Sequence, residues 1–135
     1  KYRGVKQYMD NAVEEGKKNG FVTTLFNRRR YLPELMSKNF NIRSFGQRIA
    51  MNTPIQGSAA DIIKIAMVKV YNALKEKKMK SRLILQVHDE LIIEAQNEEK
   101  DQVIDILKDC MENAVKLKVP LCVDVHWGKN WYETK

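Results

Sequence analysis

Apolar positions along this chain recur with two different periods, and the changes between them mark out its elements. Over residues 2–18, Val5, Tyr8, Met9, Ala12 and Val13 fall at spacings of three and four, the stripe of a helix, with Gly16 and Gly20 at its exit. Residues 21–25 are β-prone, and Tyr31 and Leu32 can pair back on them across Asn27, Arg28 and Arg29. Pro33 demotes any strand continuing past it, and 37–43 reads as a loop. A short helix is expected over 44–52, halted or kinked by Pro54, because proline removes a donor and crowds the preceding turn. Gly57 then opens a long helix, with Ser58 and Asp61 at the spacing of a capping box. From Ile62 to Leu74 that helix has little polar face, so 58–74 is expected to lie in the middle of a core.

Two apolar runs follow, Leu83 to Val87 and Leu91 to Ala95, read as strand, tight turn, strand. Asn97 is expected to cap a further helix, with Glu98, Glu99 and Asp101 near its positive end. Its stripe is Val103, Ile106, Leu107, Cys110, Ala114 and Val115. Pro120 stops it, and 121–125 reads as a last strand leading to Trp127 and Trp131. The order implies an α+β fold: one domain over 1–135, an antiparallel sheet containing a β-hairpin with an acidic turn, and helices covering it, one of them long and buried.

The hairpin raises the chemical question. His88, Asp89 and Glu90 sit between two runs that look built for burial, and a charge is costly to bury unless it is paired, hydrogen-bonded or bound to a metal. Adjacent carboxylates at a hairpin tip suit a hard divalent cation such as Mg²⁺, which takes oxygen ligands and keeps some water or phosphate oxygens. An ordinary polar turn accounts for the same residues, since Asp is a favoured turn residue. Other chemistries lack their residues. Only His126 remains beside His88 for a His-Asp phosphohydrolase, zinc clusters are missing, and Ser58 and Ser81 have no nucleophile-elbow setting.

A second stretch pairs with this one. Arg48 and Asn52 are four apart, on one helical face, and Gln56 continues roughly along that line. Arg, Asn and Gln separated by small or apolar residues can donate to the acceptors that every base pair presents in the minor groove. Capping and surface roles remain open for all three.

Charge sharpens the picture. Residues 1–48 carry 11 Lys/Arg against 4 Asp/Glu, while 49–135 carry 13 of each, so the whole net charge of +7 lies in the first third, around Arg28-Arg29-Arg30. Such a block suits a polyanion, or is a solvated basic surface. Cys110 and Cys122 make neither a disulfide framework nor a metal motif and read as two buried thiols. No apolar run reaches the roughly 18 residues of a membrane span and no secretory signal is seen, so a soluble intracellular protein is expected.

Taken together, these stretches resemble the C-terminal part of family A DNA polymerases, the bacterial DNA polymerase I type. Gln86-Val87-His88-Asp89-Glu90 looks like the family's motif C; RIAMNTPIQGSAAD, from Arg48 to Asp61, looks like the segment before its long palm helix; RRRYLP at 28–33 and the ending at 120–132 also fit. The resemblance implies that Asp89, with Glu90 in support, helps hold two catalytic Mg²⁺ ions, for which Mn²⁺ can substitute. Gln86 and His88 would lie near the primer's last nucleotides. Arg48, Asn52 and Gln56 would contact the primer–template minor groove, and Arg30 and its neighbours would approach the DNA backbone. It also implies DNA repair and replication chemistry with dNTPs, in the bacterial cytoplasm near the nucleoid, with no membrane partner. The family's motif A and its triphosphate-gripping fingers helix have no counterpart here. The expectation is therefore a palm piece whose missing N-terminal part precedes Lys1, inactive alone. The rival is a non-catalytic basic nucleic-acid-binding module.

Overall fold

A computed structural model describes residues 2–134. They divide into two compact units, Lys1–Asp61 and Ile62–Lys135, taken here one at a time. In the first, α1 (Arg3–Asn19) ends on Gly20, whose φ of +77° and N–H bond to the Gly16 carbonyl at 2.9 Å make a left-handed cap that glycine adopts without a Cβ penalty. Gly16 does not end the helix. It is buried inside it, against Leu35 and Val22. Strands β1 (Phe21–Thr23) and β2 (Arg29–Tyr31) pair antiparallel, with Phe21 opposite Tyr31 and Val22 opposite Arg30. A 3₁₀ turn, Pro33–Met36, follows the strand that Pro33 closes. Val22, Leu32, Leu35 and Ala50 form the core of this unit.

Residues 37–39 stay outside any helix, but the rest of the expected loop and the two expected helices are one element. Helix α2 runs Phe40–Glu76 with Pro54 inside it. A proline in a helix interior costs about 3 kcal/mol, through one lost backbone bond and a clash with the previous turn. Tertiary contacts offset that cost: Ala50 is fully buried in the core, and the β1–β2 turn is bonded to the helix just past the proline. Ser58 and Asp61 accordingly form no capping box. The Ser58 hydroxyl donates to the Pro54 carbonyl and accepts the Leu25 N–H, while Asp61 pairs with Arg28.

In the second unit, Val70 and Leu74 of α2 pack with Val103, Ile106 and Leu107 of α3 (Lys100–Glu112). This half of α2 is not the all-round buried helix its sequence suggests. Ile63, Ala66, Val70 and Leu74 are buried, but Val68 and Tyr71 are 54% and 55% exposed. Strands β3 (Arg82–Val87) and β4 (Glu90–Glu94) form the expected antiparallel hairpin, with Val87 opposite Glu90. The register slips between Leu83 and Leu85, so Ile84 is bulged. That extra residue shifts the alternation, and Ile84 and Leu85 are 58% and 44% exposed rather than buried.

Two further expectations change. Residues 121–125 form no strand, although they alternate: Leu121, Val123 and Val125 are half-buried while Cys122 and Asp124 are exposed. The antiparallel sheet is thus two separate two-stranded ladders. The thiols are not both buried. Cys122 is exposed and Cys110 half-buried, with burial pushing the Cys110 thiol upward and the Asp109 charge adding to it. Among the described residues, no helix is long and apolar enough to cross a membrane.

Asn97 caps nothing by its side chain and belongs to a 3₁₀ turn, Asn97–Glu99. Glu99 instead turns back to the base of the hairpin, where its carboxylate accepts the N–H groups of Lys80 and Ser81, each at 2.9 Å, and the Ser81 hydroxyl. The Ser81 oxygen in turn accepts the Gln96 N–H at 3.1 Å, so the start of β3 and the end of β4 are latched together. The Ser81 hydroxyl, then the Lys80 N–H, hold the Glu99 carboxyl below its ordinary 4.5. A depressed folded-state pKa means stability that is present above the unfolded value and lost as pH falls through the folded one. Glu99→Gln should therefore lower Tm at pH 7, with the gap to the parent protein closing as the pH is taken below 4.5. A gap that stays constant from neutral to acid pH would count against the latch.

Candidate nucleic-acid interface and acidic turn

The hairpin tip is a two-residue turn, His88 and Asp89, between Val87 and Glu90. His88 has a φ of +51°, the left-handed region that a two-residue hairpin turn needs and a side chain adopts at a cost of about 1–2 kcal/mol. Gln86 braces it: its Nε2 donates to the His88 carbonyl at 2.7 Å. His88, Asp89 and Glu90 are all exposed, and none has a side-chain hydrogen bond or ion pair among the described residues. The contrast between these charges and their apolar flanks is thereby resolved locally. The carboxylates stand outside the packed part of the hairpin.

Asp89 and Glu90 border a groove of about 450 Å³ whose other wall includes Asp124, His126 and Trp127. Trp127 is held there in part by Lys100, whose Nζ lies 5.1 Å from the ring centroid. The alternation over 121–126 carried the signal for Asp124 and His126. No three His, Cys, Asp or Glu side chains among the described residues converge closely enough to hold a metal ion. The donor chemistry of Asp89 and Glu90 fits Mg²⁺, but this pair supplies only part of its shell.

In the first unit, the continuity of α2 through Pro54 keeps Arg48, Asn52 and Gln56 on one face, four residues apart. All three are exposed, and their side chains have no hydrogen-bond or ion-pair partner among the described residues. The basic run splits three ways. Arg28 donates to Asp61 and to the Gly57 carbonyl. Arg29 stacks over Phe21 at 4.6 Å, and Phe21 meets Tyr31 edge-on. Arg30 alone of the three is exposed without such a contact. Four of the candidate residues thus lie in each unit: Arg30, Arg48, Asn52 and Gln56 in the first, and Gln86, His88, Asp89 and Glu90 in the second.

A mixed α+β segment with small antiparallel ladders and one long helix is the class of structure found in a polymerase domain. The model for DNA polymerase family A matches residues 1–133, and the chain belongs to that family. It is 62% identical over 135 residues to DNA polymerase I of Caldicellulosiruptor bescii, covering all of this chain and 16% of that protein. It is 58% identical over 134 residues to DNA polymerase I of Bacillus subtilis, covering 99% of this chain and 15% of that protein. Among solved structures, the POL domain of Pol1 from M. smegmatis, in complex with DNA primer-template and dNTP, superposes with a TM-score of 0.95 at 44% identity. That match covers 98% of this chain and 24% of the other. The chain therefore spans about a sixth of the curated relatives it matches.

Proposed function

We propose that this chain is the palm segment of a DNA-directed DNA polymerase, acting on primer–template DNA and dNTPs within a longer protein. The observation that carries the reading is the pair of exposed carboxylates, Asp89 and Glu90, on a turn braced by Gln86, in a chain of this family. Asp89, assisted by Glu90, supplies oxygen donors to Mg²⁺, two ions in the complete site, with Mn²⁺ able to replace it. When bound, the ions lower the pKa of the primer 3′-hydroxyl and neutralise charge on the phosphates. Gln86 fixes the His88 carbonyl, and its own carbonyl oxygen stays free to meet the primer end beside the His88 ring. Arg48, Asn52 and Gln56 donate to minor-groove acceptors, which a mispair displaces. Arg30 contributes a phosphate contact. The remaining metal ligands and the triphosphate grip come from the rest of the polymerase, so the segment alone does not extend primers.

Binding to a fluorescent primer–template across a salt series tests this reading. In the full-length polymerase, affinity should fall steeply as salt rises, and Arg48→Ala/Gln56→Ala should weaken binding by about tenfold, within the range for lost groove contacts. Unchanged affinity in the double variant would remove the row from the interface. The alternative, a non-catalytic basic module, draws on the charge of residues 1–48. It is weakened by the inward use of Arg28 and the stacking of Arg29, which take two of its arginines.

A further inference from the structure

The turn between β1 and β2 is fastened to α2 at one place, the helical turn immediately after Gln56. Arg28 Nε donates to Asp61 Oδ1 at 2.8 Å and its Nη2 to the Gly57 carbonyl at 3.1 Å. The Leu25 N–H donates to Ser58 Oγ at 2.9 Å. Thr24 is buried beneath, and its hydroxyl accepts the N–H groups of Phe26 and Arg28, each at 3.3 Å, which sets the course of the chain into Arg28. The approach is so close that a Cβ on Gly57 would lie 2.6 Å from Thr24 Cγ2. Gly57 is therefore required here by space.

The position of this fastening relative to Pro54 gives it a purpose. With no N–H on Pro54, the helix lacks the backbone bond that would tie it to the Ala50 carbonyl. That gap falls within 50–57, the stretch from which Asn52 and Gln56 project. Arg28 grips the first turn beyond the gap by a carbonyl and a carboxylate at once, a fork that a lysine cannot reproduce. We infer that Arg28 is a positioning residue: through Gly57 and Asp61 it sets where the Gln56 amide stands relative to Arg48 and Asn52, and so governs how strictly mispaired primer ends are rejected. The inference rests on the minor-groove role proposed above and removes Arg28 from the phosphate-contacting residues.

The test compares Arg28→Ala, Arg28→Lys, Asp61→Asn and Gln56→Ala in the full-length polymerase. Each is assayed for extension of matched and mispaired primers, salt dependence of DNA binding, and Tm. Arg28→Ala should leave the salt slope unchanged and lower the matched-to-mispaired ratio of kcat/KM by roughly tenfold, as expected for a donor displaced by a fraction of an ångström. Arg28→Lys should not restore the ratio, Asp61→Asn should lower it in the same direction, and Arg28→Ala should add little in a Gln56→Ala background. If lysine restores the ratio while alanine reduces the salt slope by about one, Arg28 is a phosphate contact and the inference is overturned. A fall in Tm with an unchanged ratio overturns it as well, leaving Arg28 a purely structural role. Should Arg28→Ala fail to fold, the lysine and Asp61→Asn variants decide the matter alone. Gln56→Ala with an unchanged ratio would sink the minor-groove reading itself. Gln56→Ala effective with all Arg28 and Asp61 variants silent would sink only the positioning role.

Discussion

Asp89→Asn in the full-length polymerase should lower primer extension on the order of a thousandfold, about 4 kcal/mol of barrier, while leaving primer–template affinity within about twofold. The expectation follows from geometry and charge together. Asp89 is exposed at the second position of the turn, with no side-chain partner among the described residues, so Asn can replace it without breaking a packed contact. The loss should then fall on the proposed metal donor alone. Its neighbour Glu90 begins β4 opposite Val87 and keeps its place in the ladder, so the hairpin should survive and Tm should barely move. Steady-state extension with Mg²⁺, alongside anisotropy on the same primer–template, separates the possibilities. Extension reduced together with binding would point to a DNA contact instead of a metal ligand. Extension unchanged would favour the non-catalytic module. The isolated segment should give the complementary result: no product above the level of its own Asp89→Asn variant, because one carboxylate pair without further ligands holds Mg²⁺ poorly.

What could be read from the sequence was what depended on neighbours along the chain. The two-residue acidic turn is local: short apolar runs on either side of His88, Asp89 and Glu90 suffice to place it at a hairpin tip. The Gly20 cap is equally local. The Arg48–Asn52–Gln56 row was legible as a spacing, and it holds only because α2 does not stop at Pro54. That continuity was illegible, because it depends on Leu25 and Arg28 bonding to residues 33 and 29 positions away. The same distant contacts turned an apparent capping box into a tertiary clamp and took Arg28 out of a block of like charges. Residues 121–125 show the converse case. From 121 to 126 half-buried Val123 and Val125 alternate with exposed Asp124 and His126, yet a strand also needs a partner ladder, and periodicity within one segment contains no information about a partner. The bulge at Ile84 is a further instance, since one slipped pairing exposed two residues whose apolar character argued for burial.

The largest effect on stability should come from Leu32→Ala. Leu32 is 1% exposed, among the most deeply buried large side chains, and packs with Val22, Leu35 and Ala50. Its backbone is committed as well: its N–H donates to the Gly20 carbonyl at 2.9 Å, and its carbonyl accepts the Leu35 N–H at 3.2 Å. Neighbours fixed in this way cannot collapse far into the space left by truncation, so the cavity term adds to the lost transfer energy, for a total of about 2–5 kcal/mol. Against a total stability of roughly 5–15 kcal/mol for a domain, that is a large fraction. Thermal unfolding should show Tm lower by about 10 °C or more, while Leu32→Ile, which keeps the volume, should cost under about 1.5 kcal/mol. The same core buries Ala50, next to the segment from which Asn52 projects, so loosening it should also weaken primer–template binding at temperatures where the variant is still folded. A Leu32→Ala protein with parental Tm would mean that the core of this unit is held by something other than the Leu32 side chain. A lowered Tm with parental DNA affinity would show that the helix keeps its polar row in place without the packing beneath it.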